Sequence, residues 1–516
     1  MIRKLANSDF QAILTVINNA AFVYKGKIPG DCWKEPYMPA QELKEEIQSG
    51  VQFYGYIENN SLIAVMGIQP VNDVTLIRHA YTLRSHQRKR IGEKLLNSLL
   101  NIAETQMILV GTWENAKWAI NFYQKHGFVL LSREETNELL KKYWNISERQ
   151  IETSIVLEQK RYPPMKTLLL NVDPENPDPE KIQTAAEIIQ KGGLVAFPTE
   201  TVYGLGADAL NPAAVLALFE AKKRPLDNPP IVHVADPKEV YKLVKEVPKK
   251  AEVLMEKFWP GPLTLIFKRS NVVPKVTVAG LYTVAIRIPK HKVALELIKQ
   301  SYRPIAAPSA NLAGKPSPTT AQHVYEDLNG RIDAILDGGA TNIGVESTVV
   351  DLSIDPPMLL RPGGTPFEAL KEVLPDLELH PFVQAEQELV LQDIRSPGMK
   401  HKHYAPKAEV ILVEGKVSAV IAKVKELAKS YTLKGKKVGI LATDQTQTAY
   451  KADVVKSLGS RSNLASVAQN LFRLLREVDA ENVDVIIAEG VSSKGLGLAV
   501  MNRLRKASGY RIIKAN

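Results

Sequence analysis

The stretch FPTETVYGLGADA, residues 197–209, crowds hydroxyls and glycines directly behind a buried-looking apolar run, LVAF. Two later segments share that composition: APSANLAGKPSPT at 307–319 and GVESTVVD at 344–351. Glycine and threonine mark turns on ordinary grounds. Each of these turns, however, abuts an apolar run of strand length, and loops at strand ends can converge on one ligand. RPGG at 361–364 adds an arginine in another tight turn. Hydroxyls, amides and a few cationic side chains are suited to holding a phosphate and an amino acid together.

Around these segments, strands alternate with helices, and the fold class is α/β. Residues 1–160 carry a strand-like IRKL and then a helix that Asn7, Ser8 or Asp9 is expected to cap. QFYGYIENNSLIAVMGIQ follows as a hairpin turning at 58–61, and then VTLIRHAYTL and MILVGTW as strands. EQKRYPPMK, with paired prolines, reads as a linker. A central block, about 165–372, begins with the helix PEKIQTAAEIIQKGG and continues through LTLIFK, YTVAIRIP and TVVDLS. Residues 373–407 show little periodicity, so they are a linker or a functional loop. From 408 to 516, AEVILVEG, KKVGILAT and VDVIIAEG alternate with helices, which predicts a small parallel α/β domain.

The length, 516 residues, suits several such domains, and 45% hydrophobic with 24% charged residues suits a folded soluble chain. No apolar run approaches the ~20 residues a membrane helix needs, and the opening MIRKLANSDF has no apolar signal core. Cys32 is the single cysteine, which excludes an internal disulfide and a cysteine metal cage. A cytoplasmic protein is the expectation. The net charge of +10 permits contact with RNA or with anionic small molecules.

EAKKRPLDNPP at 220–230 closes a helix that Asn211 caps and Pro212 begins. Lysines at that end suit the helix dipole in any protein. That reading is kept for Lys223, whereas the proline turn that follows can aim Lys222 and Arg224 inward together.

In the first block, HQRKRIGEKLL places backbone amides at the start of a helix directly after a strand, which is a geometry for pyrophosphate. The segment resembles motif A of the GNAT acetyltransferases, with Gln87 and Gly92 matching and Arg90 in a glycine position. NFYQKHGF at 121–128 is similar to the same family's FYxxxGF signature. The resemblance implies a GNAT mixed sheet in which Gln87, Arg88, Arg90, Ile91 and Gly92 bind acetyl-CoA. Tyr123 would sit near the thioester and protonate the departing thiolate. It does not name the acceptor. Glu45, Glu46 and Glu58 are candidate bases, read first as exposed carboxylates of a helix and a turn. Arg90 also leaves room for a domain that only binds a partner.

No GxxxxGK[ST] occurs, and GLGLAV at 495–500 does not complete a dinucleotide fingerprint, so any nucleotide is held another way. PTETVYGLG, Lys222-x-Arg224, WPGPLT, Ser309-x-Asn311, ESTVVD and RPG together resemble the YrdC/Sua5 family. SPGMKHKHYAP and the last block resemble its longer Sua5 type. The resemblance implies a YrdC-like twisted sheet, a Rossmann-like C-terminal domain, and synthesis of L-threonylcarbamoyladenylate. The substrates would be L-threonine, bicarbonate and ATP with Mg2+, for the t6A modification of tRNA, with a downstream t6A transferase as a partner.

Carried over on matching positions, the family implies that Lys222 and Arg224 face the phosphates as the catalytic cations. Asn228, Ser309, Ser317 and Arg361 would stand beside them, with Thr283 near the nucleotide and Asn311 orienting the site. Thr201, His233, Arg287, Ala307 and Ser347 would surround threonine, Arg287 pairing with its carboxylate in a fork. His401, His403 and Tyr404 would form a lid, with His401 among the ATP contacts where the family commonly carries an aromatic. Alternate histidines in a loop make a poor metal cage, so no metal site is expected. A double-stranded RNA-binding module is the rival reading. It uses the basic charge but not the hydroxyl-rich turns.

Overall fold

The computed structural model describes residues 2–87, 89–160, 166–387 and 404–515, and the chain forms two compact units, Met1–Pro164 and Met165–Asn516. Arg88, His401 and His403 lie outside the described residues. No helix among the described residues is long and apolar enough to cross a membrane.

The first unit is built on a seven-stranded sheet. Its strands Gln52–Glu58 and Ser61–Val71 form the expected hairpin, with Asn59 and Asn60 at φ 48° and 60° in the turn. Asparagine tolerates this left-handed backbone, which matches the twist of the two strands. The opening helix differs from expectation. Asn7–Asp9 is a short 3-10 turn, and the helix runs Phe10–Ala21 without a side-chain cap. Asp9 is drawn away from capping by Arg3, which reaches both carboxylate oxygens at 2.8 Å.

Strands Val74–Thr82 and Met107–Trp113 are the parallel pair of this sheet, and their pairing stops at Ile77 and Val110. Beyond that point both strands continue but part, leaving a wedge. Leu76 and Ile77 belong to different apolar clusters, so helices cover both faces of the sheet. On one face the helices Ile91–Ile102 and Lys117–Lys125 pack their buried Leu95, Leu99, Ile120 and Tyr123.

The second unit has a mixed eleven-stranded sheet and a separate five-stranded sheet. In the smaller sheet every neighbouring pair is parallel, as the alternation after residue 408 requires. In the larger sheet, Leu263–Lys268, Thr283–Arg287, Val232–His233 and Ile305–Ala306 lie centrally; one hydroxyl-rich segment follows Ile305–Ala306, one joins Val195–Phe197 to Gly204–Asp208, and one leads into Thr348–Asp351. Helix Pro212–Ala221 begins as its sequence dictates: the Asn211 side chain accepts from the amides of Ala213 and Ala214.

The two sheets share a core. Val202 and Val345, from two hydroxyl-rich loops, pack with Phe472, Leu475, Val500 and Leu504 of the last two long helices, Leu464–Ala480 and Leu496–Ala507. Gly344 shows how close the approach is. It sits at φ 78°, and a Cβ there would lie 2.4 Å from Gln469 Cα.

Candidate active sites

A cavity of about 260 Å³ opens where the hydroxyl-rich loops of the second unit meet. Thr201, Lys222, Arg224, Asn228, His233 and Arg287 line one part of its wall, and Ala307, Ser309, Asn311, Ser317, Ser347 and Arg361 line another. Tyr404, just after the undescribed stretch, also faces it.

Thr283 does not join them. It begins the strand that Arg287 ends and pairs with Lys268 at the far margin. Four residues of strand separate Thr283 from the cavity end by about 13 Å. His401 and Arg88 lie outside the described residues.

The strand ends meet through backbone bonds. Gly204 bridges to Ser309, the Ala307 amide donates to the Ile231 carbonyl at 2.8 Å, and the Ala310 amide to that of Tyr203 at 2.8 Å. These contacts draw the 199–204 and 307–311 loops together, so hydroxyls remote in sequence face one space.

Lys222 is 1% exposed, and its amine donates to the carbonyls of Ser309 and Asn311. Burial, with the Arg224 charge nearby, pushes its pKa well down. Arg224 donates to the carbonyls of Asn228 at 2.9 Å and Pro229 at 3.3 Å. Lys223 takes φ 51° and is exposed where Lys222 is buried, but it too borders the cavity. The pair therefore fixes two loops as well as supplying charge to the cavity.

Arg361 donates to the Ser347 carbonyl from Nε at 3.1 Å and from Nη2 at 2.9 Å, and to the Ser347 hydroxyl at 3.1 Å. Arg287 donates to the Thr201 hydroxyl at 3.0 Å and to the Gly261 carbonyl at 3.1 Å. Its remaining nitrogen is 2.6 Å from Glu200 but not aligned for a hydrogen bond. His233 is pushed down to about 3 by burial and by the Arg287 charge, so it is a neutral imidazole near pH 7. The side-chain oxygens of Asn228 and Asn311 are buried without hydrogen-bond partners. Such acceptors are costly unless a ligand or water meets them.

Sequence reasoning did not single out Glu346, Lys315 or Thr199, which also line the cavity. Among the described residues, Glu346 is its only carboxylate. Ser317 donates to one of its oxygens at 2.7 Å, and Arg503 to the other at 3.0 Å. Arg476 donates to Asp327 at 2.7 Å and also to the Pro316 carbonyl, which ties the loop carrying Ser317 to the helix Leu464–Ala480.

In the first unit, a cavity of about 700 Å³ fills the wedge between the parting strands. Gln87, Arg90, Ile91, Gly92 and Tyr123 all line it. Arg90 stands at φ 58°, so it keeps the left-handed backbone that a glycine would take more easily. Tyr123 is buried, and burial raises its phenol pKa. Glu45 is exposed and Glu58 half-buried, but Glu46 is not the surface carboxylate expected of it. Arg78 donates to one Glu46 oxygen at 2.8 Å, and His79 lies 3.4 Å from the other. The apolar packing of its helix against the sheet, invisible in ELKEEIQ, turns Glu46 inward.

Comparison with known proteins assigns these parts. A family model described as Telomere recombination, of the Sua5/YciO/YrdC type, matches residues 187–363. Another, described as Threonylcarbamoyl-AMP synthase, C-terminal domain, matches 366–509, and one described as Acetyltransferase (GNAT) family matches 17–128. The chain is 54% identical over 348 residues to the threonylcarbamoyl-AMP synthase of Pyrococcus abyssi, covering 67% of this chain and 99% of the relative. It is 49% identical over 339 residues to that of Bacillus subtilis, covering 65% and 95%. A crystal structure of Pyrococcus abyssi Sua5 complexed with L-threonine superposes with a TM-score of 0.65, at 54% identity, covering 68% of this chain and 100% of that one. The chain carries a GNAT-family domain ahead of Sua5-type domains, and it belongs to the threonylcarbamoyl-AMP synthase family.

Proposed function

We propose that residues 165–516 make L-threonylcarbamoyladenylate and pyrophosphate from L-threonine, bicarbonate and ATP, feeding t6A formation on tRNA. The observation that supports this most is the charge pattern of the smaller cavity. Lys222, Arg224 and Arg361 line it together with Thr201, His233, Arg287 and Ser347, in a chain 54% identical to a named synthase.

In the chemistry this requires, the threonine amine captures carbon dioxide from bicarbonate. A carbamate oxygen then attacks the α-phosphorus, the bond to the β-phosphate oxygen breaks, and pyrophosphate leaves. Both reactants are anions, so positive charge and positioning count for more than a protein nucleophile. Arg224 and Arg361 would lie along the phosphates with Asn228, Ser309 and Ser317. Lys222 would act from beneath, holding Ser309 and Asn311 by their carbonyls. Arg287, with Thr201, His233, Ala307 and Ser347, would hold threonine. Mg2+ would arrive with the ATP phosphates. Among the described residues, Glu346 is the cavity's one carboxylate and is already engaged by Ser317 and Arg503, so those residues do not fit a resident metal. His401, His403 and Tyr404 would cover the bound nucleotide.

The first unit would transfer an acetyl group from acetyl-CoA to an acceptor amine. Its wedge-shaped cavity, with Gly92 and Arg90 at a helix start and Tyr123 in the wall, supports that reading. The synthase reading is tested by pyrophosphate release from the full-length protein. Release should require threonine and bicarbonate together, and release that ignores either one rejects it.

A further inference from the structure

The larger cavity contains a residue held in an unusual conformation. Strand Val74–Thr82 pairs with Ser61–Val71 through a bulge: Gly67 faces Arg78 and Val65 faces Tyr81, so His79 and Ala80 together stand opposite Met66. His79 takes φ 50° there. Left-handed backbone costs a non-glycine residue about 1–2 kcal/mol, and bulges of this kind re-aim side chains beside active sites. The bulge begins where the parallel pairing with Met107–Trp113 has just ended, so His79 lies in the wall of the wedge.

Its surroundings are polar on one side. Nε2 of His79 is 3.4 Å from Oε2 of Glu46, and both atoms are buried without a hydrogen-bond partner. Arg78 holds the other Glu46 oxygen at 2.8 Å and Gln69 at 2.9 Å. Phe53 stacks on the imidazole, with ring centroids 5.6 Å apart. Burial would raise the Glu46 carboxyl, but His79 and Arg78 bring it below its ordinary value, so it stays ionised. The charged groups facing His79 are thus Glu46 from its helix and Arg78 from its own strand, with Glu42 acting on Arg78. With a proton on Nε2 directed at Glu46, Nδ1 is the nitrogen left with a lone pair.

The other histidines of the cavity are placed differently. His126 spends Nδ1 on the Phe122 carbonyl at 2.7 Å, and His86 spends its own on Ser85 at 2.8 Å. Tyr24, Tyr37, Tyr81, Trp113 and Trp118 supply aromatic walls to the same cavity, with Tyr24 and Tyr37 stacked at 5.9 Å. Neutral ring faces attract an ammonium group.

We propose that His79 is the base that takes a proton from the acceptor, a primary amine bound against these rings, and that Glu46 is its positioning residue. The assignment rests on the acetyl-transfer reading of the first unit. In the unprotonated imidazole, the Nδ1 lone pair takes one proton from the ammonium group, leaving an imidazolium beside the Glu46 carboxylate. The freed nitrogen forms a C–N bond to the acetyl carbonyl carbon, the C–S bond breaks, and the electron pair leaves on sulfur. The Tyr123 hydroxyl gives its proton to the thiolate and recovers one, the second amine proton, giving an amide and coenzyme A.

The test uses full-length protein, acetyl-CoA, and three amine probes: tyramine, spermine and a lysine-containing peptide. Thiol release is followed against pH, and acetyl-CoA binding is measured separately by calorimetry. His79→Asn is the variant of choice because asparagine accepts left-handed backbone. General-base loss should lower kcat about a hundredfold or more near pH 7, with acetyl-CoA affinity and melting temperature retained. The lost rate should return toward high pH, where the amine sheds its own proton. Glu46→Gln should lower kcat less and move the neutral limb of the pH profile. A His79→Asn enzyme with near-normal kcat, or one whose deficit stays constant with pH, overturns the assignment. Wild-type protein that binds acetyl-CoA but turns over none of the amines overturns the amine acceptor. Wild-type protein that does not bind acetyl-CoA at all rejects the acetyl-transfer reading itself.

Discussion

Arg503 places Nε and Nη2 each 3.0 Å from the same carboxylate oxygen of Glu346, and both side chains are buried. The pair joins the last long helix to the loop carrying Ser347. Burial would raise the Glu346 carboxyl, but Arg503 and Arg361 hold it at about 2. Removing Arg503 would leave a buried carboxylate without the guanidinium that holds one of its oxygens. Arg503→Met should therefore cost about 3–5 kcal/mol in urea unfolding. It should also raise the KM for ATP through the displaced Ser317, while Arg503→Lys recovers only part of either effect.

Arg287 is committed to Thr201 and Gly261 by two of its nitrogens, so its orientation is set before a substrate arrives. Arg287→Lys keeps the charge and loses the fork. Bonds to charged groups contribute about 1.5–3 kcal/mol, so the KM for threonine should rise about tenfold or more while that for ATP stays unchanged. Steady-state kinetics with each substrate varied in turn separates the two.

His233 sets a pH dependence of stability. Its pKa is about 3 in the fold against 6.5 for the unfolded chain, because burial and Arg287 oppose its charging. Between those values the unfolded chain binds more protons, so stability rises with pH. The contribution is complete above pH 6.5 and is lost as the pH falls toward 3. Urea midpoints at pH 7 and pH 5 should therefore drop further for the wild type than for His233→Phe. Equal drops would contradict a neutral buried imidazole.

Much of this site was legible because its residues travel in short motifs. PTETVYGLG, Ser309-x-Asn311 and ESTVVD each keep their polar residues within a single turn, so composition alone marks them. Thr283 stands apart from the cavity, and a strand does not show in sequence which of its ends reaches it. Glu346 was passed over because its partner, Arg503, lies far along the chain and only tertiary packing makes the pair. The same holds for Glu46 and His79: the run VTLIRHAYTL reads as an unbroken strand, and the bulge depends on how Val65 and Gly67 pair opposite it.

Arg90 gives a test of the glycine position. It holds φ 58° at the start of its helix, a conformation costing a side-chain-bearing residue about 1–2 kcal/mol. Arg90→Gly should raise the melting temperature of the first unit and leave acetyl-CoA binding intact, since the backbone amides remain. A large loss of affinity would instead assign the contact to the guanidinium.

The central claim is that the cavity walled by Arg224, Arg287 and Arg361 joins threonine, bicarbonate carbon and AMP in one molecule. Mass spectrometry of the product formed from 13C-bicarbonate, 15N-threonine and ATP tests it most directly. The product should be a single adenylate carrying both labels, lost together in Arg224→Ala and Arg287→Ala proteins. An adenylate that carries the threonine label without the bicarbonate carbon would contradict it.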